Sequence, residues 1–134
     1  MPLDFSPLRK ALTSLNKAIE RAQAARDDEE LRDAVIQRFE YTHELCWKML
    51  KRQLEQESPN PTEIDRLAYR DLLREAAERG ILSNIERWMD YWEARNITSH
   101  TYDEQKAKDV YEAAVLFFQD AAKLLSALEK RNHD

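Results

Sequence analysis

The sequence predicts an all-α fold: an up-and-down helical bundle of four to five helices that dimerises, built as a single domain over residues 1-134. Three observations carry that prediction. The 134 residues contain one glycine and four prolines, so the two residue types that interrupt helices are nearly absent. Four segments place apolar side chains at the spacing of a helix face, and capping signals mark a short fifth helix between them. Finally, 43% of the chain is hydrophobic, enough to fill a core in one domain of this length even though 35% is charged, and this excludes intrinsic disorder.

The elements follow in order. Ser6 before Pro7 reads as an N-cap and a first-turn proline, after which Leu8, Leu12, Leu15, Ile19 and Ala22 recur at helical spacing. The acidic run Asp27-Asp28-Glu29-Glu30 suits the positive end of a second helix, which runs to about Glu57 before Ser58-Pro59-Asn60-Pro61 stops it. At 100° per residue its apolar set, from Leu31 and Val35 through Phe39, Cys46 and Trp47 to Leu54, spans roughly 160° of surface. So wide a face means either a central helix or one that also meets another subunit. Thr62-Glu63-Ile64-Asp65 resembles a capping box opening a short third helix, closed by Gly80 at a left-handed C′ position. A second box, Ser83-Asn84-Ile85-Glu86, opens a fourth helix with the stripe Ile85, Trp88, Met89 and Trp92. The last helix, about Asp103 to Arg131, carries Val110, Ala114, Phe117, Phe118, Ala121, Leu125 and Leu128 on one side.

Between the fourth and last helices the chain reads RNITSHTYDE, Arg95 to Glu104. On a continuous helix Arg95 and His100 would stand roughly 140° apart, separated by about 7.5 Å of rise. Two β-branched residues and a serine lie between them, and a third capping box, Thr101-Tyr102-Asp103-Glu104, follows. A helix end, a tight break and a new start are therefore expected, with His100 just outside the new N-terminus and Tyr102 at its first helical position. Asn96 falls within the apolar stripe of the fourth helix, where a polar group needs a hydrogen-bonding reason. The plain alternative is that Asn96 caps the helix and Arg95 pairs with a neighbouring carboxylate.

The same Arg-x4-His spacing occurs at Arg38 and His43, inside the continuous second helix, where the two side chains are set apart. His43 falls in the middle of that helix's apolar face and reads as a buried or interface histidine. Cys46 and Trp47 read as core or interface residues, and His133 sits in a frayed tail. The histidines and the single cysteine lack metal-ligand spacing, and one glycine cannot build a phosphate loop, so neither a metal nor another cofactor is expected. A net charge of −5 disfavours coating of duplex DNA, though not a local site for one phosphate or one RNA end. The unpaired Cys46, the lack of a long apolar run and the lack of a signal-peptide pattern lead to the expectation of a cytoplasmic protein away from membranes.

The longer strings RFEYTHELCWKMLKR and EARNITSHTYDEQKAKDVY resemble the HepT-like branch of the HEPN superfamily, also described as nucleotidyltransferase substrate-binding proteins. The resemblance covers essentially the whole chain. It implies a dimerising four- or five-helix bundle encoded beside a minimal nucleotidyltransferase, often as a toxin–antitoxin pair. It further implies metal-independent RNA cleavage by Arg95 and His100, with Asn96 as the supporting polar residue. Tyr102 takes the position that the partner enzyme adenylylates to silence the toxin. Three functions stand side by side at this point: a ribonuclease with a composite dimer site, a non-catalytic nucleotide-binding or substrate-binding partner of a nucleotidyltransferase, and a purely structural helical dimer.

Overall fold

The computed structural model describes residues 2–132, and the secondary structure among them is helical throughout. His133, expected in a frayed tail, lies outside the described residues. The helices are α1 (Ser6–Ala24), α2 (Glu29–Glu57), α3 (Pro61–Asp65), α4 (Tyr69–Glu78), α5 (Ile85–Asn96) and α6 (Glu104–Arg131), with a 3-10 turn over Thr98–His100 between the last two. The long helices α1, α2 and α6 run up and down, and the short ones fill the space beside α2.

The α2 face has its explanation within one chain. The helix touches all five of the others, and it buries Val35, Ile36, Phe39, Cys46, Met49, Leu50 and Leu54 together with Thr42, His43 and Gln53. It is the central helix, and its wide face is spent mostly inside the molecule, with Trp47 left half-buried. At the heart of the core the Phe117 ring meets Phe39, Tyr91 and Trp88 edge-on, at centroid distances of 5.0, 5.3 and 5.8 Å. That edge-to-face geometry suits the ring quadrupoles and adds to the area each ring removes from water.

Several expected caps are displaced. The N-cap of α1 is Phe5, so Ser6 and Pro7 are its first two residues, and the Asp4 carboxylate accepts from the Ser6 N–H at 2.9 Å. The third helix is two: Thr62 does not cap, because the chain already turns helical at Pro61 and breaks over residues 66–68 before α4 begins. At the next start Asn84 takes the role assigned to Ser83, reaching a left-handed φ of 62° that asparagine tolerates better than serine, and its side chain accepts from Arg87 N–H. Gly80 ends α4 as expected, with φ 76° and the paired bonds Ile81 N–H to Ala76 O and Gly80 N–H to Ala77 O.

Ion pairs fix the helices that flank the RNITSHTYDE segment. Arg87 of α5 grips the Asp120 carboxylate of α6 through Nε at 3.0 Å and Nη2 at 2.7 Å, and the Tyr91 hydroxyl donates to the same carboxylate. Arg32 of α2 reaches Glu104, the first residue of α6, at 2.7 Å. At the opposite end of the bundle Arg131 holds Glu57 through two bonds of 2.5 and 2.6 Å, tying α6 to α2.

Candidate functional site

The break after α5 is made by its own hydroxyls. Thr98 Oγ1 donates to the carbonyl of Arg95 at 2.9 Å, and Thr101 Oγ1 donates to the carbonyl of Thr98 at 3.2 Å. Carbonyls left over by the ending helix are thus satisfied locally, which lets the chain tighten into the 3-10 turn instead of continuing. Ile97 tucks against the core and anchors the turn, while Ser99 and His100 face solvent. Backbone bonds His100 N–H to Ile97 O (2.9 Å) and Asp103 N–H to His100 O (3.1 Å) then lead into α6.

The cap of α6 is Asp103, not Thr101. Its carboxylate accepts from the Gln105 and Lys106 N–H groups at 2.9 and 3.2 Å, satisfying donors that would otherwise attract an anion. Tyr102 consequently lies just outside the helix rather than at its first position. It is 86% exposed, and its ring stands edge-on to His100 with centroids 6.1 Å apart.

Arg95 points the other way, toward α2. It is half-buried, with Nη2 4.0 Å from the Glu40 carboxylate, at the outer limit of an ion pair. The alternative reading of the sequence, an arginine paired with a carboxylate, is therefore met only loosely. Asn96, the last residue of α5, is exposed. The buried face of α5 is Trp88, Met89, Tyr91 and Ala94, rotated from the expected stripe, so Asn96 lies outside the core of this chain. The reason is Tyr91: its bond to Asp120 draws a residue with a polar tip inward and turns Trp92 out.

His43, five residues after Arg38, is buried. Its Nε2 lies 3.1 Å from the Tyr69 hydroxyl, and its ring is packed among Phe39, Phe117 and Tyr69. Burial pushes its pKa down to about 4, helped by the positive charge of Arg95. Arg38 departs in another direction, toward α1, where its Nε donates to Ser14 Oγ at 3.0 Å.

A feature the sequence did not single out lies beside Arg95. Trp47 of α2, Tyr69 of α4 and Trp92 of α5 form a parallel ladder, with centroids 6.4 and 5.1 Å apart and interplanar angles of 5° and 14°. Trp47 and Trp92 read as ordinary apolar positions in their own helices, and nothing in the sequence pairs either with Tyr69.

The model of a family described as "Nucleotidyltransferase substrate binding protein like" matches residues 3–130. The chain belongs to this HepT-like family. A Haemophilus influenzae protein named "Probable ribonuclease HepT" is 43% identical over 97 residues, which cover 72% of this chain and 66% of that protein. A solved Haemophilus influenzae structure, described as revealing the fold of a substrate-binding domain of a nucleotidyltransferase, is similar at a TM-score of 0.88. It shares 34% identity, and the match covers 94% of this chain and 99% of that one. A crystal structure from Thermus thermophilus is similar at a TM-score of 0.74 and 27% identity, covering 90% and 98% of the two chains. As a HepT-like chain the protein has its two Arg-x4-His segments on different footings, one sealed into α2 and one at an open break. No helix among the described residues is long and apolar enough to cross a membrane.

Proposed function

We propose that this chain is a metal-independent ribonuclease whose active centre forms where the α5–α6 breaks of two protomers meet, each supplying Arg95 and His100. The carrying observation is the break itself. It leaves His100 open to solvent on a turn anchored by Ile97, with Arg95 held against α2 one turn earlier. The name of the Haemophilus influenzae relative supports the same activity.

Cleavage needs a base for the ribose 2′-hydroxyl, a cation for the charge that develops on the phosphorane, and an acid for the leaving 5′-oxygen. One histidine takes the 2′-proton as the 2′-oxygen attacks phosphorus. The second protonates the 5′-oxygen as its bond to phosphorus breaks, leaving a 2′,3′-cyclic phosphate and a 5′-hydroxyl. Each arginine offers a planar donor fork to the phosphate oxygens. One chain carries a single such pair, and a twofold axis supplies the second.

Control in this reading falls to Tyr102. Its exposed hydroxyl attacks the α-phosphorus of ATP in a partner nucleotidyltransferase and releases pyrophosphate. The resulting AMP group sets a phosphodiester and a purine beside His100 and silences the enzyme, as in a toxin–antitoxin pair. The structural likeness to a substrate-binding domain of a nucleotidyltransferase supports such a partner, and it also favours a second reading in which the chain binds nucleotide for that partner without cutting RNA.

Purified protein incubated with RNA in EDTA separates the two. Fragments ending in 2′,3′-cyclic phosphate, lost in Arg95→Ala and His100→Ala, support the ribonuclease, whereas intact RNA supports the binding subunit. Co-expression with the partner enzyme should add the mass of AMP to this chain but not to Tyr102→Phe.

A further inference from the structure

The ladder Trp47–Tyr69–Trp92 has two ends of different character. At the Trp47 end Lys51 Nζ sits 5.1 Å from the ring centroid, and that lysine is held in turn by Asp65 at 2.6 Å, so the outer face is capped by a cation. The middle ring, Tyr69, is fixed by its hydroxyl on His43. At the Trp92 end one face is covered by Tyr69, yet the residue is 36% exposed, so its open area lies on the other face and edge. An indole left open at the end of an ordered stack is a preformed surface for one more flat ring.

Its neighbours define what that ring belongs to. Arg95 and Asn96 follow Trp92 by three and four residues on α5, which puts all three side chains on one side of the helix. Side chains at those spacings have Cβ atoms about 5–6 Å apart, similar to the reach from a nucleobase to its own phosphate. We propose that Trp92 is the stacking platform for an unpaired base of single-stranded RNA, with Arg95 meeting the phosphate of the same nucleotide and Asn96 facing the base edge. The proposal rests on the ribonuclease reading for its substrate and adds a recognition residue outside the Arg95–His100 pair.

The acidic balance of the chain fits this mode of binding. With a net charge of −5, little affinity can come from a broad phosphate-neutralising surface, whereas stacking needs no net positive charge. Duplex RNA is disfavoured as a ligand because its bases are already stacked on each other.

A short 2′-O-methyl oligoadenylate, which binds without being cut, is the probe. Titrated into the intact protein in EDTA, it should quench tryptophan fluorescence, since Trp88 is buried and the outer face of Trp47 is capped, leaving Trp92 as the accessible indole. Trp92→Leu should bind about tenfold or more weakly, and Trp92→Phe should bind within about threefold while losing the quenching. The salt dependence of log affinity should have a slope of about −0.7, that of one neutralised phosphate on a single strand. Absence of binding, equal affinity in Trp92→Leu, or dissociation of a dimer by Trp92→Leu would overturn the proposal, the last by assigning the ring to the contact between copies. Should Trp92→Leu fail to fold, the quenching of the unaltered protein decides alone. Trp92-dependent binding by a protein that leaves ordinary RNA uncut would uphold the base site and defeat only the cleavage reading.

Discussion

Two segments of this chain share the spacing Arg-x4-His and share almost nothing else. Arg38 and His43 lie within the uninterrupted α2, and the helix sends them to different neighbours: the arginine to Ser14 of α1, the histidine into the core against Tyr69 of α4. Arg95 and His100 straddle a helix end. There two threonine hydroxyls take up carbonyls of the last turns, and the histidine emerges into solvent. The difference teaches that the spacing carries no chemistry by itself. A histidine can exchange protons with a substrate only where the backbone delivers it to an open surface, and the break performs that delivery.

The largest expected effect is on catalysis. Arg95→Ala and His100→Ala should each lower RNA cleavage by roughly a thousandfold or more, in line with the loss of a transition-state donor or a proton-transfer group. Both should keep their thermal midpoints within a few degrees of the unaltered protein, as their side chains are not core. Cleavage and melting measured on the same preparations check both halves, and equal loss in Arg38→Ala would erase the distinction between the segments.

Next comes stability. His43→Ala should cost about 2–4 kcal/mol, because it opens a cavity beside Phe39 and Phe117 and leaves the Tyr69 hydroxyl without its partner. Urea denaturation gives the value directly. A cost below about 0.5 kcal/mol would show that the buried imidazole is not structural.

Acid should act through the same residue. His43 has a folded-state pKa of about 4, below its ordinary 6.5, so between those values the unfolded chain binds a proton that the folded chain refuses. Its contribution is complete above about pH 6.5 and declines as pH falls toward 4. Glu57 then follows at lower pH. Its bonds from Arg131 hold its carboxyl near 2, and its contribution, on the order of 1–3 kcal/mol, is lost as pH drops from about 4.5 toward 2. Stability measured against pH should therefore fall in two stages, and His43→Gln should flatten the first without moving the second.

The smallest effect belongs to Arg38→Ala. It removes a part-buried bond to Ser14 and should cost about 1 kcal/mol, with RNA cleavage unchanged. Calorimetry and a cleavage assay suffice.

The sequence by itself determined the helical class and the placement of the long helices. Periodicity, the scarcity of glycine and the Ser58–Pro61 stop are local signals, and local hydrogen bonding enforces them. It also located the break before α6, since Ile97, Thr98 and Ser99 are poor helix interior whatever surrounds them. The inward faces of α1 and α6 were legible too, but the tertiary structure alone decided which side of α5 faces in. Tyr91 rather than Trp92 is buried because Asp120, 29 residues away, offers its hydroxyl a partner, and that one rotation moves Asn96 out of the core. The third helix divides over residues 66–68 although its sequence reads as one segment. The aromatic ladder beside Arg95 was equally out of reach, because it joins three helices whose register is set by packing, and no spacing within one segment encodes a contact made across three.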